Sequence, residues 1–407
     1  MFVLFVTPYF TENALRFVRA LLDVDGVRLG VISQERQEVL DPALRGRFAG
    51  HWRVYDILDA DQLLWAATEL ANRHGHPHRI LNANEQVQVP LAHVRERMGV
   101  PGMNVETSRN FRDKARMKDL FRSSGVPCAR HACATNHDEA WDFICEVGFP
   151  VCVKPVDGAA AQATYRVENA KAFREVLTAS GPNPARPLQI EEFVTGQEHS
   201  LETISIGGRH LWHSLTRYLP TPLDAMQNPW IQWRVVLPRE VDSTAYDDIK
   251  EVGQRALSCL GMGTGLSHLE WFRRSNGTLA VNEVGARPPG AQIVTLVNRA
   301  HDVDLYDGWC RLMLFDEFRP PRQRKYAAGI AFLRGLGGGR VKEVHGLREV
   351  LHELEDVVTD VKAPEYGQAA ATSYEGEGYV IVRHPRTRTV EQALLRIVES
   401  VRVEMVH

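Results

Sequence analysis

The sequence predicts a multi-domain protein of mixed α/β and α+β class, opening on a parallel α/β sheet and continuing into smaller α+β units. Three observations carry that prediction. The first 112 residues alternate strand-like and helix-like apolar patterns, the order that favours parallel strands with helices on both faces. From about residue 126 the elements become shorter and their order mixed. Glycine turns at Gly207-Gly208 and Asn276-Gly277 each separate two strand-like runs, the mark of antiparallel hairpins. A length of 407 residues is a prior of two to three domains. With 44% hydrophobic and 24% charged residues, a disordered or fibrous chain is excluded.

In order, residues 2–6, 27–32, 51–57 and 79–82 read as strands, and 13–22, 60–73 and 85–98 as helices. A helix carrying Met117, Leu120 and Phe121 on one stripe stops at Ser124-Gly125, with Pro127 beyond. A small module follows: helices at 138–147 and 170–178, with strands at 151–154, 164–167 and 188–194. Residues 200–206 and 210–218 form the first hairpin, and a Pro- and Trp-containing loop covers 219–233. The helix 245–260 ends at Gly261. Strands 266–272 and 278–284 form the second hairpin, a helix starts near Ala291, and the last α/β segment runs from Tyr326 to the helix 390–401. The domains expected are therefore 1–112, 113–195, 196–325 and 326–407.

The net charge of −3 argues against a whole-chain grip on nucleic acid or anionic lipid. No apolar run reaches the roughly 18 residues that span a bilayer. The apolar start Met1-Phe-Val-Leu-Phe lacks a basic region and a cleavage site, so it reads as a buried strand. Six scattered cysteines without a CxxC fit free thiols in a reducing cytoplasm. A homodimer is the candidate assembly.

Taking Asn276-Gly277 as a two-residue turn sets Glu270 directly opposite Glu283 on one face, with Phe272 and Val281 beside them. Like charges in that position destabilise a hairpin. A dication reverses the sign, because Mg²⁺ is held by one or two carboxylates together with phosphate oxygens and water. A solvated pair in a shifted register is the alternative. Arg287, four residues past Glu283 in a stretch fixed by glycine and proline, can hold a carboxylate or phosphate bidentately, or be an exposed loop arginine. Lys154 ends a strand before the small-residue loop Gly158-Ala-Ala-Ala-Gln-Ala, where backbone amides can approach phosphate, although a solvated charge is the commoner role of such a lysine. Residues 189–198 cross from a strand into a linker whose backbone can meet an adenine edge, with Glu198 near ribose hydroxyls. No Walker motif, dinucleotide fingerprint or zinc spacing is present, and His74-Gly-His76-Pro-His78 reads as a solvated loop.

Together these marks resemble the ATP-grasp superfamily, in its carboxylate–amine ligase branch. The ordered set is Arg112-Asp-Lys114, Gly125-Val-Pro127, Val153-Lys154-Pro155, Glu191-Glu-Phe-Val-x-Gly-x-Glu198, Glu270, and Asn282-Glu283 with Arg287. The looser match is to L-amino acid ligases, with biotin carboxylase and formate-dependent glycinamide ribonucleotide transformylase more distant. The resemblance implies an ATP-grasp fold with an N-terminal Rossmann-like (pre-ATP-grasp) domain, a mobile lid and a C-terminal α+β segment. It implies ATP between two lobes: Lys114 and Lys154 on the phosphates, the backbone at Glu192 and Val194 at adenine, Glu198 at the ribose, and Glu191 also among the ATP-binding residues. Glu270 and Glu283 would bind Mg²⁺, with Mn²⁺ as a substitute. Two features depart from the pattern: Gly285 stands where some relatives carry asparagine, and the phosphate loop is alanine-rich.

The activity implied is ATP-dependent joining of a small carboxylate, an amino acid among them, to an amine through an acyl phosphate, with Arg287 and Lys154 at the reacting groups. Carboxylation or formylation of a phosphorylated amine is the alternative within the superfamily, and a non-catalytic nucleotide-binding scaffold the alternative outside it. For substrate contacts the sequence offers Glu85 at a sheet tip, His213 and Arg217 on one strand, and a wall of Trp230 and Trp233. Helix-start or core packing roles compete for each.

Overall fold

The computed structural model describes residues 1–156, 164–228, 230–321 and 323–406. Among these residues four sheets form. The N-terminal sheet is parallel: Phe2–Thr7 lies between Arg28–Ser33 and Arg79–Leu81, with Gly50–Arg53 at the edge. Its first strand is buried on both faces. Phe2, Leu4 and Val6 pack with Leu63, Ala66 and Leu91 of the helices Ala60–His74 and Gln88–Met98. Val3 and Phe5 share the opposite core with Phe17 and Trp309. That two-sided burial is why the strand reads as an unbroken apolar run.

A four-stranded antiparallel sheet, His131–Ala134, Leu188–Glu192, Val151–Pro155 and Tyr165–Val167, carries the helices His137–Val147 and Ala170–Ser180. The largest sheet has eight antiparallel strands, in the order Leu279–Gly285, Gly265–Arg273, Gln197–Ile206, Arg209–Leu219, Arg234–Leu237, Ala327–Leu333, Gly378–His384 and Val358–Lys362. It therefore runs across residue 325 without a break. One face packs Leu201, Leu215, Leu269 and Trp271 against the helix Asp247–Leu260. The other face is the floor of the main cavity. No helix among the described residues is long and apolar enough to cross a membrane.

Several boundaries differ from the sequence reading. The helix expected from residue 85 begins at Gln88. The 219–233 loop contains a short helix, Pro222–Gln227, capped by Thr221. A final strand, Arg402–Val406, follows the last helix and pairs with Arg340–His345. The helix expected near Ala291 begins at Ile293, because Ala291 and Gln292 take positive φ of 50° and 58°.

Gly196 joins the smaller antiparallel sheet to the large one at φ 153°, and a Cβ there would collide with the Arg273 carbonyl. Gly196→Ala is expected to cost about 1–3 kcal/mol, read as a lower midpoint in denaturant. An unchanged midpoint would show that the crossing relaxes freely.

Candidate active site

The site is built on the second hairpin. Glu270 does lie opposite Glu283, but by a different route from the one expected. The turn holds three residues rather than two, since Arg274 and Thr278 close it by a backbone hydrogen bond. Phe272 consequently faces Ala280, not Val281. A bulge between Trp271 and Glu270 leaves Asn282 as an extra residue on the returning strand, and the register recovers at the two carboxylates. Ser200 is opposite Glu270 on the next strand and Glu198 opposite Phe272, so the period of two puts Glu198, Glu270 and Glu283 over one floor.

Lysines approach from above. Asp113 caps the helix Lys114–Ser123 by accepting from the Arg116 N–H at 2.9 Å. Lys114 Nζ lies 3.0 Å from Glu283 Oε2. One turn later Lys118, almost wholly buried, lies 3.2 Å from Glu191 Oε2 and donates to the Asn282 carbonyl at 3.0 Å. Lys154 Nζ lies 2.9 Å from the other Glu191 oxygen and donates to the Asn282 side chain at 3.4 Å. Burial alone would raise the Glu191 carboxyl, but the two lysines hold it at about 2. Glu191 is thus a clamp for lysines.

Glu192 turns its carboxylate to Arg130 and Arg274, at 2.8 Å each, and its N–H donates to the Arg130 carbonyl. Val194 lines the cavity, and its N–H donates to nothing among the described residues. Glu198 is buried at the same wall. Burial, then the neighbouring Glu270, Glu283 and Asp224 carboxylates, push its carboxyl well above the usual range. The small-residue loop expected at the phosphates, 158–163, lies outside the described residues.

Arg287 does not lie in an exposed loop. Its Nε donates to Glu85 Oε2 at 2.9 Å, its Nη2 lies 2.8 Å from the same oxygen, and its Nη1 donates to the Pro288 carbonyl at 3.0 Å. Arg112 donates to the other Glu85 oxygen at 2.9 Å. Burial would raise the Glu85 carboxyl, but Arg287, then Arg112 and Lys114, hold it at about 2. Two of the five guanidinium N–H groups of Arg287, one on each terminal nitrogen, are left for a ligand. Behind Glu270, His268 links to its Oε1 at 3.5 Å and to Glu202 at 2.9 Å. Burial would lower that imidazole, but Glu202 and Glu270 raise it to about 9.

Three candidates fall outside the site. His213 and Arg217 share the alternate face of their strand with Leu215, towards the helix Asp247–Leu260. His213 stacks on His210, and Arg217 is engaged by Tyr246 and Glu391. It is Tyr218, one residue on, that reaches the cavity. Trp230 is exposed and Trp233 buried; only Trp233 lines the cavity, donating its indole N–H to the Pro220 carbonyl at 2.9 Å.

Glu85, Lys114, Lys154, Glu191, Glu198, Glu270, Glu283 and Arg287 line one cavity of about 580 Å³. Sequence reasoning missed Lys118, His268, Tyr218, Tyr374 and Glu375. Lys118 carried a usable signal, because it follows Lys114 by four residues and so shares its helix face. Tyr374 and Glu375 arrive from the C-terminal segment, and no local spacing announces them.

Comparison with known proteins now bears on the whole arrangement. Residues 119–301 match the family model described as ATP-grasp domain. The chain is 22% identical over 275 residues to the L-arginine-specific L-amino acid ligase of Bacillus subtilis, a match covering 65% of this chain and 65% of that protein's length. The crystal structure of L-amino acid ligase from Bacillus licheniformis superposes with a TM-score of 0.79 at 17% identity, covering 100% of this chain and 99% of the other. N5-carboxyaminoimidazole synthetase from Staphylococcus aureus complexed with ADP gives 0.74 at 16% identity, covering 98% and 96%. Residues 119–301 match the ATP-grasp domain, and the chain as a whole has the ATP-grasp fold.

Proposed function

We propose that this protein is an ATP-dependent carboxylate–amine ligase that forms an amide or peptide bond through an acyl phosphate and releases ADP and phosphate. One observation carries the reading: two opposed carboxylates, Glu270 and Glu283, share a single cavity with Lys114, Lys154 and a half-buried Arg287. Three carboxylates converge there, and burial, then the neighbouring Glu270 and Glu283 charges, raise the carboxyl of Glu198. That donor set fits a hard divalent cation. Glu270 and Glu283 would hold Mg²⁺, or Mn²⁺ in its place, and the ion supplies charge neutralisation at the phosphates.

Lys154 and Lys114 contact the phosphates, in a site where Glu191 fixes the first of them. The unengaged Val194 N–H and the neighbouring Glu192 carbonyl read the adenine edge, and Glu198 meets the ribose hydroxyls. The two remaining N–H groups of Arg287 hold the substrate carboxylate, while Glu85 keeps the guanidinium in place. An oxygen of that carboxylate attacks the γ-phosphorus in line, the bond to the β-phosphate oxygen breaks, and ADP leaves. The amine then attacks the acyl carbon and phosphate departs. The unit 113–195 closes over the cavity, because an acyl phosphate is hydrolysed by water. We place the enzyme in the cytoplasm, in keeping with six unpaired cysteines.

A phosphorylated amine would need basic residues at the substrate end. The C-terminal segment supplies Tyr374 and Glu375 there instead. Phosphate release from ATP is expected to rise when an amino acid is paired with a second amino acid. Stimulation only by a phosphorylated amine with bicarbonate or formate would replace the proposal with a nucleotide-pathway reaction, and no turnover with any pair would leave a binding scaffold.

A further inference from the structure

We propose that Glu375 selects a substrate bearing a positive charge, an ammonium or guanidinium, at the end of the cavity walled by Trp233 and Tyr374. The inference rests on the ligase reading of this cavity and narrows its substrate class.

Nearly every other carboxylate lining the cavity is matched. Glu85 has Arg112 and Arg287, Glu191 has Lys118 and Lys154, Glu192 has Arg130 and Arg274, Glu283 has Lys114, and Glu270 has His268. Glu198 and Asp224 remain as a neighbouring pair at the metal floor. Glu375 is different. Its Oε1 accepts the Ala291 N–H at 3.2 Å, while its Oε2 has no hydrogen-bond partner among the described residues. No lysine or arginine among them lies in salt-bridge range; the nearest cation felt, Lys362, is engaged by Glu12. Burial accordingly pushes its carboxyl above the ordinary value. Glu375 is half-buried; a carboxylate drawn partly out of water without a counter-charge is costly, and a ligand cation removes that cost.

The surroundings suit such a ligand. Tyr374 meets Trp233 edge-on at 4.5 Å between ring centroids, and both rings line the cavity. Aromatic faces beside a carboxylate favour a cation. The carboxylate is also held in place. Glu377 accepts from the Gly335 and Ala371 N–H groups at 2.7 Å each, and Gly376 takes φ 64° where a Cβ would collide with the Leu333 carbonyl. Glu375 is therefore carried on an anchored loop, as a selecting group needs to be. The Ala291 contact admits a purely structural role, so the test must separate charge from hydrogen bonding.

Glu375→Gln keeps an acceptor for the Ala291 N–H and removes the charge. The experiment is calorimetric titration of the full chain, with MgADP present, against L-arginine, L-lysine, L-alanine, L-glutamate and propionate. The wild type is expected to bind arginine and lysine about tenfold more tightly than glutamate or propionate. Glu375→Gln should abolish that preference, with its affinity for MgADP unchanged. If only arginine and lysine lose affinity in the variant, the cation recognised is on the side chain and the proposal stands; if alanine loses affinity as much as arginine does, Glu375 acts on a group that all amino acids share and the proposed selection fails. Equal wild-type binding of propionate and every amino acid overturns it without needing the variant, and so does a variant with the wild-type preference. Because binding is read rather than turnover, a cationic preference without phosphate release would refute the ligase reading and leave this inference standing.

Discussion

Glu283→Gln is expected to lower ATP-dependent phosphate release about a thousandfold or more, while the fold survives. The substitution preserves shape and removes one of two charges that face each other across the hairpin. Removing a single stabilising group at developing charge commonly costs a factor of about 10²–10³, and loss of a metal position withdraws several kcal/mol of further charge stabilisation. The stability cost is small by comparison. The Glu283 side chain is 23% exposed and loses a single ion pair, to Lys114, a change of about 1 kcal/mol or less. Turnover and thermal unfolding of the same preparation check both halves. Turnover within threefold of wild type would remove Glu283 from the chemistry.

Glu191→Leu is expected to give the largest loss of stability, about 3–5 kcal/mol. Its carboxylate bridges two buried lysines, one of which, Lys118, is 1% exposed in its side chain and keeps a single acceptor, the Asn282 carbonyl. A hydrophobic replacement leaves both ammonium groups unpaired in the interior. The same clamp sets an acid limit. Burial would raise the Glu191 carboxyl, but Lys118 and Lys154 hold it at about 2 in the folded state, below its ordinary value of 4.5, so the folded protein binds fewer protons and its stability falls as pH drops from about 4.5 towards 2. The gap corresponds to on the order of 3 kcal/mol. Urea unfolding at pH 7 and pH 3 should show a smaller acid loss in Glu191→Gln than in the wild type. Equal losses would mean that other carboxylates set the limit.

The legible parts of this protein are those governed by local periodicity. The buried first strand, the helix from Lys114 and both hairpins could be read because period and turn residues act over a few positions. The Glu270–Glu283 pairing was read through two errors that cancel: the turn has one residue more than expected, and the Asn282 bulge restores the register. Arg217 and His213 were misplaced because one strand offers two faces, and which face meets the cavity depends on where a helix packs. The His268–Glu202 link and Glu375 lay beyond reach for a further reason. Each is defined by a partner 66 or 84 residues away in the chain, and a buried polar group announces itself only through such partners. Helix starts shifted where backbone contacts, not propensity, decided them, as at Ala291 and Gln292.

The eight-strand sheet joins the floor of the cavity to the C-terminal segment as one hydrogen-bonded ladder. Cutting the gene after codon 325 would therefore not yield a trimmed catalytic core. It would strip Ala327–Leu333 from its neighbour Arg234–Leu237 and bare a rim of unpaired amides and carbonyls, the kind of surface on which copies of a protein stack into aggregates.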